Sequence, residues 1–135
     1  MQNPKNLLVT EKALALAVTV YPVTVDFGRE ERYGLTSQLR RAAVSIGSNI
    51  AEGCGRSGDR ELTAFLHVAM GSASELEVQV EIARRLGLSS PARLDSVTEQ
   101  GSEVKRMLSR LIVGIKSKPS NNSDAGASPS KPPPR

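Results

Sequence analysis

The chain has little of the chemistry that marks most metal and catalytic sites. Its 135 residues include one cysteine, one histidine, two tyrosines, two phenylalanines and no tryptophan. Cys54 cannot form an internal disulfide, and with His67 it supplies only two of the about four ligands that a zinc site needs. So few aromatic rings also argue against a surface that stacks nucleic-acid bases. We therefore expect a cytoplasmic protein without cofactors, whose contact with any nucleic acid is electrostatic.

Long hydrophobic runs are also missing. No uninterrupted apolar run approaches the roughly 20 residues of a membrane span. Residues 13–20, preceded by Lys5 and Lys12, are similar to the apolar region of a secretory signal, but the run has only eight residues and Glu11 precedes it. We interpret it as part of a mature helix and predict no membrane partner, with a secretory signal as the alternative.

The composition changes at Ser117. Residues 117–135 hold five of the eight prolines and five serines, too few apolar side chains to offset the entropy cost of ordering. We predict a folded domain over residues 1–116 and a disordered Pro/Ser-rich tail over residues 117–135. The formal net charge is +4 for the whole chain and, with 15 basic and 13 acidic residues, +2 for residues 1–116.

Start and stop signals divide the predicted domain into four helices. Thr10 is the predicted N-cap of the first, which runs toward Asp26 with a kink at Pro22. Ser90 and Pro91 are the cap and first-turn residue of the fourth. The second and third are predicted over about residues 35–54 and 59–86, each followed by glycine.

Helix 3 carries two apolar stripes on opposite sides. Each repeats at steps of about three and four residues, which is the spacing of a helix-bundle core. One core can bury only one stripe, so the outer stripe is predicted to form an oligomer interface, with scattered surface residues as the alternative. The outer stripe consists of Ala64, Val68, Gly71, Glu75, Val78 and Ile82. In helix 2, small residues around Gly47 predict a close helix approach there.

One segment is distinctive as a motif. The run LTSQLRRAAVSIGSNIAEGCGRS, residues 35–57, followed by Ser-Glu-Leu-Glu at 74–77, closely resembles the four-helix proteins first noticed as reading frames in 23S rRNA intervening sequences. These are similar in turn to the accessory variability protein of diversity-generating retroelements. The resemblance covers about residues 7–115, and its most specific part is Ser45, Ile46, Asn49, Ile50, Ala51, Glu52 and Gly53.

This resemblance implies an all-α, up-and-down, left-handed four-helix bundle that assembles as a homopentamer. It does not imply an enzyme. The resemblance to the retroelement proteins implies that the chain binds nucleic acid. It also implies a protein partner, which would be a reverse transcriptase or another nucleic-acid enzyme.

Charged and polar residues of helices 2 and 3 are the candidate functional residues. Arg40, Arg41, Arg56 and Arg60 are predicted to contact nucleic acid. The alternative to a binding face on helix 2 is a solvated helix side that carries Arg41, Ser45, Ser48 and Glu52. Asn49, Glu52 and Glu75 are predicted to form structural polar contacts. Because Glu75 interrupts an apolar stripe, we expect it to pair with Arg40 or Arg41, within one subunit or across an interface.

Two hypotheses for function follow. The first is a non-enzymatic oligomeric module that contacts nucleic acid, or a nucleic-acid enzyme, through basic surface. The second is a protein-interaction or structural scaffold that binds no nucleic acid, which the small net charge of residues 1–116 favours.

Overall fold

The computed structural model describes residues 3–118, which form an all-α bundle. Its four helices are α1 (Pro4–Val25), α2 (Leu35–Cys54), α3 (Asp59–Leu86) and α4 (Pro91–Lys116), and a 3-10 turn (Arg29–Glu31) lies between α1 and α2. Each helix packs against its neighbours in the chain, and α1 closes the bundle against α4. The predicted up-and-down four-helix fold is confirmed. The predicted tail lies outside the described residues from 119 onward.

Helix α1 begins seven residues earlier than predicted. The side chain of Asn3 accepts a hydrogen bond from the Lys5 backbone N–H at 2.8 Å, and Pro4 is the first helical residue. Asparagine is a favoured N-cap, and proline is favoured at the first helical position because it has no backbone N–H that would need an acceptor there. The Thr10 hydroxyl instead donates to the Asn6 carbonyl from inside the helix, so the prediction of Thr10 as N-cap was wrong.

The other helix ends follow the signals in the sequence. Ser90 caps α4, its hydroxyl accepting from the Arg93 N–H at 3.2 Å. Gly87 ends α3 with a φ of 66°, a left-handed conformation that glycine adopts without a steric penalty. These caps set the lengths of the two longest helices and bring them side by side.

The core is built from one stripe of each helix. In α3 the inner stripe is buried from Leu66 to Ala83. In α4 the buried stripe shifts near the end of the helix, where Ile112 is buried and Leu111 only half-buried. The core is rich in Ala, Val, Leu and Ile, which accounts for a stable fold with so few aromatic residues.

Helix α1 is long and apolar enough to cross a membrane by length and composition. The sequence reasoning missed this because it counted only uninterrupted apolar runs. Residues such as Val9, Leu16 and Val20 are fully buried against the other helices. A core helix of a bundle and a signal sequence near the N-terminus both pass this test, and 33% of the apolar window of α1 is buried inside the bundle.

The close approach predicted at Gly47 lies at Gly53 instead. A Cβ atom added at Gly47 would lie 3.7 Å from the Ala13 Cβ, which is an ordinary contact. A Cβ at Gly53 would lie 2.8 Å from the Phe65 Cβ and 3.3 Å from the Leu62 carbonyl oxygen. The tight contact therefore joins the end of α2 to the start of α3, and the prediction for Gly47 was wrong.

Two apolar stripes face outward. All six members of the outer stripe of α3 are exposed. Helix α1 carries a second exposed stripe, the α1 stripe, made of Leu7, Leu14 and Val18. Because α1 and α3 are not in contact with each other among the described residues, the two stripes lie on non-adjacent helices of the bundle.

Candidate functional site

A surface groove of about 960 Å³ lies beside α2. It lies between the C-terminal end of α1, the 3-10 turn and the outer face of α2. We call it the basic groove, because four arginines and both tyrosines line it and no carboxylate does. Its charged and aromatic side chains are Tyr21, Arg29, Arg32, Tyr33, Arg40 and Arg41.

The connection between α1 and α2 brings these residues together. Gly28 has a φ of 91° and turns the chain into the 3-10 helix that carries Arg29. Glu31, the acidic residue next to Arg32, accepts a hydrogen bond from the Leu35 N–H at 3.2 Å. Its carboxylate is thereby held at the N-terminal end of α2, where the helix dipole favours a negative charge.

Arg40 is fixed by its surroundings. Its Nε donates to the Thr24 hydroxyl at 2.8 Å, and its Nη2 donates to the Tyr21 carbonyl at 3.3 Å. Its guanidinium also lies 4.5 Å from the centre of the Tyr21 ring, a cation–π distance. Arg40 therefore joins α2 to the end of α1 and presents a fixed positive charge at the edge of the groove.

The other three groove arginines have no acidic partner. None of the ion pairs found over residues 3–118 includes Arg29, Arg32 or Arg41. All three are exposed. Four arginines in the lining of one groove, with no carboxylate in that lining, concentrate positive charge there, and such a concentration attracts an anionic ligand.

A polar ladder continues along α2. Ser45 lies at one end of the groove, and its hydroxyl is 2.8 Å from that of Ser72 in α3. The Asn49 side chain donates to the Ser45 carbonyl at 2.9 Å and to its hydroxyl at 3.0 Å. Among the described residues, the side-chain hydrogen bonds of Asn49 therefore connect it to α3 through Ser45.

The predicted polar residues do not form one network. Glu52 is exposed and pairs with Arg56 at 2.7 Å, one turn further along the chain. Glu75 is exposed and pairs with no cation among the described residues, and Arg40 is engaged by Thr24 and Tyr21 instead. Pairing of Glu75 with Arg40 or Arg41 inside one subunit was therefore a wrong expectation, because solvent already stabilises the carboxylate.

The four predicted arginines fall into two groups. Arg40 and Arg41 line the basic groove. Arg56 and Arg60 lie beyond the other end of α2, and Arg56 packs over the Phe65 ring at 5.1 Å. About 20 Å of helix separates the two groups, at 1.5 Å per residue.

Four of the six charged and aromatic side chains of the basic groove were not predicted from the sequence. Arg29, Arg32, Tyr21 and Tyr33 come from the end of α1 and from the connection. A signal was present, since residues 29–33 read Arg-Glu-Glu-Arg-Tyr and contain two of the arginines. The two glutamates of this segment balance the charge of its two arginines, so the segment has no net charge in the sequence. In the folded protein the arginines line the groove and the glutamates do not.

The remaining chemistry-bearing residues offer no alternative centre. Burial raises the pKa of the Cys54 thiol, so the reactive thiolate is scarce at neutral pH. His67 is exposed on α3. Over residues 3–118 no three His, Cys, Asp or Glu side chains come close enough to hold a metal ion.

Comparisons with known proteins agree with this fold. A crystal structure of a protein of unknown function from the S23 ribosomal protein family of Bacteroides thetaiotaomicron superposes with a TM-score of 0.73. The two chains are 23% identical, and the match covers 81% of this chain and 98% of the other. No curated protein matches the chain. Residues 5–110 match the 23S rRNA-intervening sequence protein family, a small four-helix family without a known catalytic activity, and the chain belongs to it.

Proposed function

We propose that the protein is a non-enzymatic, oligomeric module that binds nucleic acid through the basic groove. The observation that carries this proposal is the meeting of Arg29, Arg32, Arg40 and Arg41 in one groove without a lining carboxylate. Guanidinium groups bind phosphate oxygens through two parallel hydrogen bonds. A phosphate backbone supplies several such anions in a row, which a single small anion does not.

The distribution of charge supports this proposal better than the net charge does. Residues 3–118 contain 16 basic and 13 acidic residues, a net charge of +3. Spread evenly, this charge would attract a polyanion only weakly. Concentrated at one groove and repeated in every copy of an oligomer, it focuses a positive potential where a strand would lie.

The oligomer is proposed from the two outward apolar stripes. A contact between the outer stripe of α3 in one copy and the α1 stripe of the next is heterologous, and such contacts form a ring when the rotation between copies closes and an open filament when it does not. A homopentamer is the ring that the family resemblance favours. Burial of Val68, Val78 and Ile82, all half exposed or nearly so, is the expected hydrophobic contribution.

An enzyme that acts on nucleic acid is proposed as a protein partner, on the basis of the sequence motif in α2. Resemblance to the retroelement accessory protein favours a reverse transcriptase or another nucleic-acid enzyme. The alternative is a scaffold that binds protein and no nucleic acid, and the exposed apolar stripes are the observation that favours it.

A salt titration tests the proposed function. We expect binding of an oligonucleotide that weakens linearly with the logarithm of salt concentration. With three or four phosphates neutralised per groove, the slope should be about −2 to −3.6 per occupied site. The measurement is fluorescence anisotropy of a labelled oligonucleotide, starting at about 50 mM salt.

The control is a shortened protein that ends at Lys116. It lacks Lys118, Lys131 and Arg135, whose charges could bind phosphates without the groove. The proposal requires the shortened protein to keep both its affinity and its salt slope. No detectable binding by the shortened protein at about 50 mM salt would favour the scaffold function instead.

A further inference from the structure

The basic groove contains the exposed aromatic rings of the described chain. Phe27 is buried, and Phe65 is half-buried beneath Arg56. Tyr21 and Tyr33 remain, and both line the groove. The scarcity of aromatic residues in the composition had argued against base stacking, but the fold places these two rings beside the four arginines.

Tyr33 is the more unusual of the two rings. It is 88% exposed, and among the described residues its one ring contact is the Arg32 guanidinium at 5.8 Å. A tyrosine usually contributes to stability by burying its large ring. At this exposure Tyr33 contributes little to the core, so its ring is available to a ligand.

Tyr21 and Arg40 form a fixed stack at the side of the groove. The guanidinium lies 4.5 Å from the ring centre, and two hydrogen bonds from Arg40 hold it to Thr24 and to the Tyr21 carbonyl. The 43% exposed ring of Tyr21 is therefore ordered before any ligand arrives. An ordered stack loses less conformational entropy on binding than a mobile side chain does.

Single-stranded and duplex nucleic acids would use this groove differently. In a duplex the base faces are stacked inside, and the arginines could reach phosphates while the tyrosines would gain little. In a single strand the base faces are free to stack on aromatic rings. Along α2 the groove extends from Thr36 to Ser48, about 18 Å at 1.5 Å per residue.

We propose that the basic groove selects unpaired nucleotides, with a base stacked on Tyr33 and neighbouring phosphates bound by Arg29, Arg32 and Arg41. This inference rests on the proposed function, because it specifies which nucleic acid the groove takes. Tyr21 and Arg40 form the wall against which a second base packs.

The absence of tryptophan provides a direct optical test. The chain has two tyrosines, and both lie in the groove, so its tyrosine fluorescence reports only on this site. The probes are an oligothymidylate of about twelve nucleotides, an abasic strand of the same length, and a duplex of the same length. We expect the oligothymidylate to quench the fluorescence and to bind most tightly, and the abasic strand to bind more weakly without quenching.

Two substitutions of Tyr33 separate stacking from charge. Tyr33→Ala should weaken oligothymidylate binding by about 5- to 100-fold, the effect of losing one stacked base. Tyr33→Phe keeps the ring and should bind within about twofold of the unmodified protein. The side chain is almost fully exposed, so both variants should keep the unmodified helicity by circular dichroism.

The outcomes distinguish this inference from the proposed function. If the abasic strand and the duplex bind as tightly as the oligothymidylate, and Tyr33→Ala changes nothing, the inference is overturned while nucleic-acid binding stands. If none of the three probes binds at about 50 mM salt, the proposed function itself fails. Quenching that persists in Tyr33→Ala with unchanged affinity would assign stacking to Tyr21 and contradict the role of Tyr33.

Discussion

Val78→Asp is expected to dissociate the oligomer into folded monomers. Val78 lies in the outer stripe of α3 and is 61% exposed in the single subunit, so the bundle itself should tolerate the change. In an interface that buries the outer stripe, the new carboxylate would lie one turn from Glu75, and adding a second negative charge there costs several kcal/mol. Light scattering should report a monomer mass at micromolar concentration, with helicity unchanged.

Two further substitutions define the interface. Val113 on α4 is 62% exposed, and Val113→Asp is the matched control that should leave the assembly intact. Val18→Asp in the α1 stripe should dissociate the protein if α1 of one copy packs on α3 of the next. An unmodified protein that is monomeric at micromolar concentration would contradict the oligomer, and dissociation by Val78→Asp alone would indicate a contact of α3 with itself.

Gly53→Ala is expected to destabilise the bundle. The added Cβ would lie 2.8 Å from the Phe65 Cβ and 3.2 Å from the Leu62 Cδ1, so α2 and α3 must move apart where they pack most tightly. Overpacking of this kind costs about 1–3 kcal/mol, which lowers the Tm by several degrees. Thermal unfolding followed by circular dichroism, at one fixed protein concentration, measures the change.

Gly47→Ala is the matched control on the same helix and should act in the opposite direction. Its Cβ fits at an ordinary distance from Ala13, so the higher helix propensity of alanine should stabilise the protein by up to about 1 kcal/mol. If both alanine variants raised the Tm, the tight contact at Gly53 would be refuted.

The fold could be predicted from the sequence because its determinants are local or periodic. Apolar residues at alternating steps of three and four mark the inner stripe of α3, and Ser90 and Gly87 mark helix ends without any knowledge of packing. The sequence does not fix the start of α1, because both Thr10 and Asn3 have side chains that can cap a helix. The hydrogen bonds distinguish the two residues. Asn3 accepts from a backbone N–H of the first turn, as a cap does, whereas Thr10 donates to the Asn6 carbonyl from inside the helix.

The site could be predicted only in part because it is assembled across the connection between two helices. Arg40 and Arg41 stood out as neighbours on one helix face. Arg29, Arg32 and Tyr33 belong to the same groove only because the chain reverses between α1 and α2. The sequence analysis grouped Arg56 and Arg60 with Arg40, but the length of α2 places them at the far end of that helix.

The most direct test of the account compares two double charge reversals in the shortened protein. Arg32→Glu with Arg41→Glu alters the basic groove, and Arg56→Glu with Arg60→Glu makes the same change in net charge at the other end of α2. The account predicts that the first pair weakens oligonucleotide binding at about 50 mM salt by roughly 100-fold or more, since each lost charged hydrogen bond costs about 1.5–3 kcal/mol. The second pair should change it by only a few fold. Equal losses from both pairs, or a loss confined to the second, would contradict the basic groove as the nucleic-acid site.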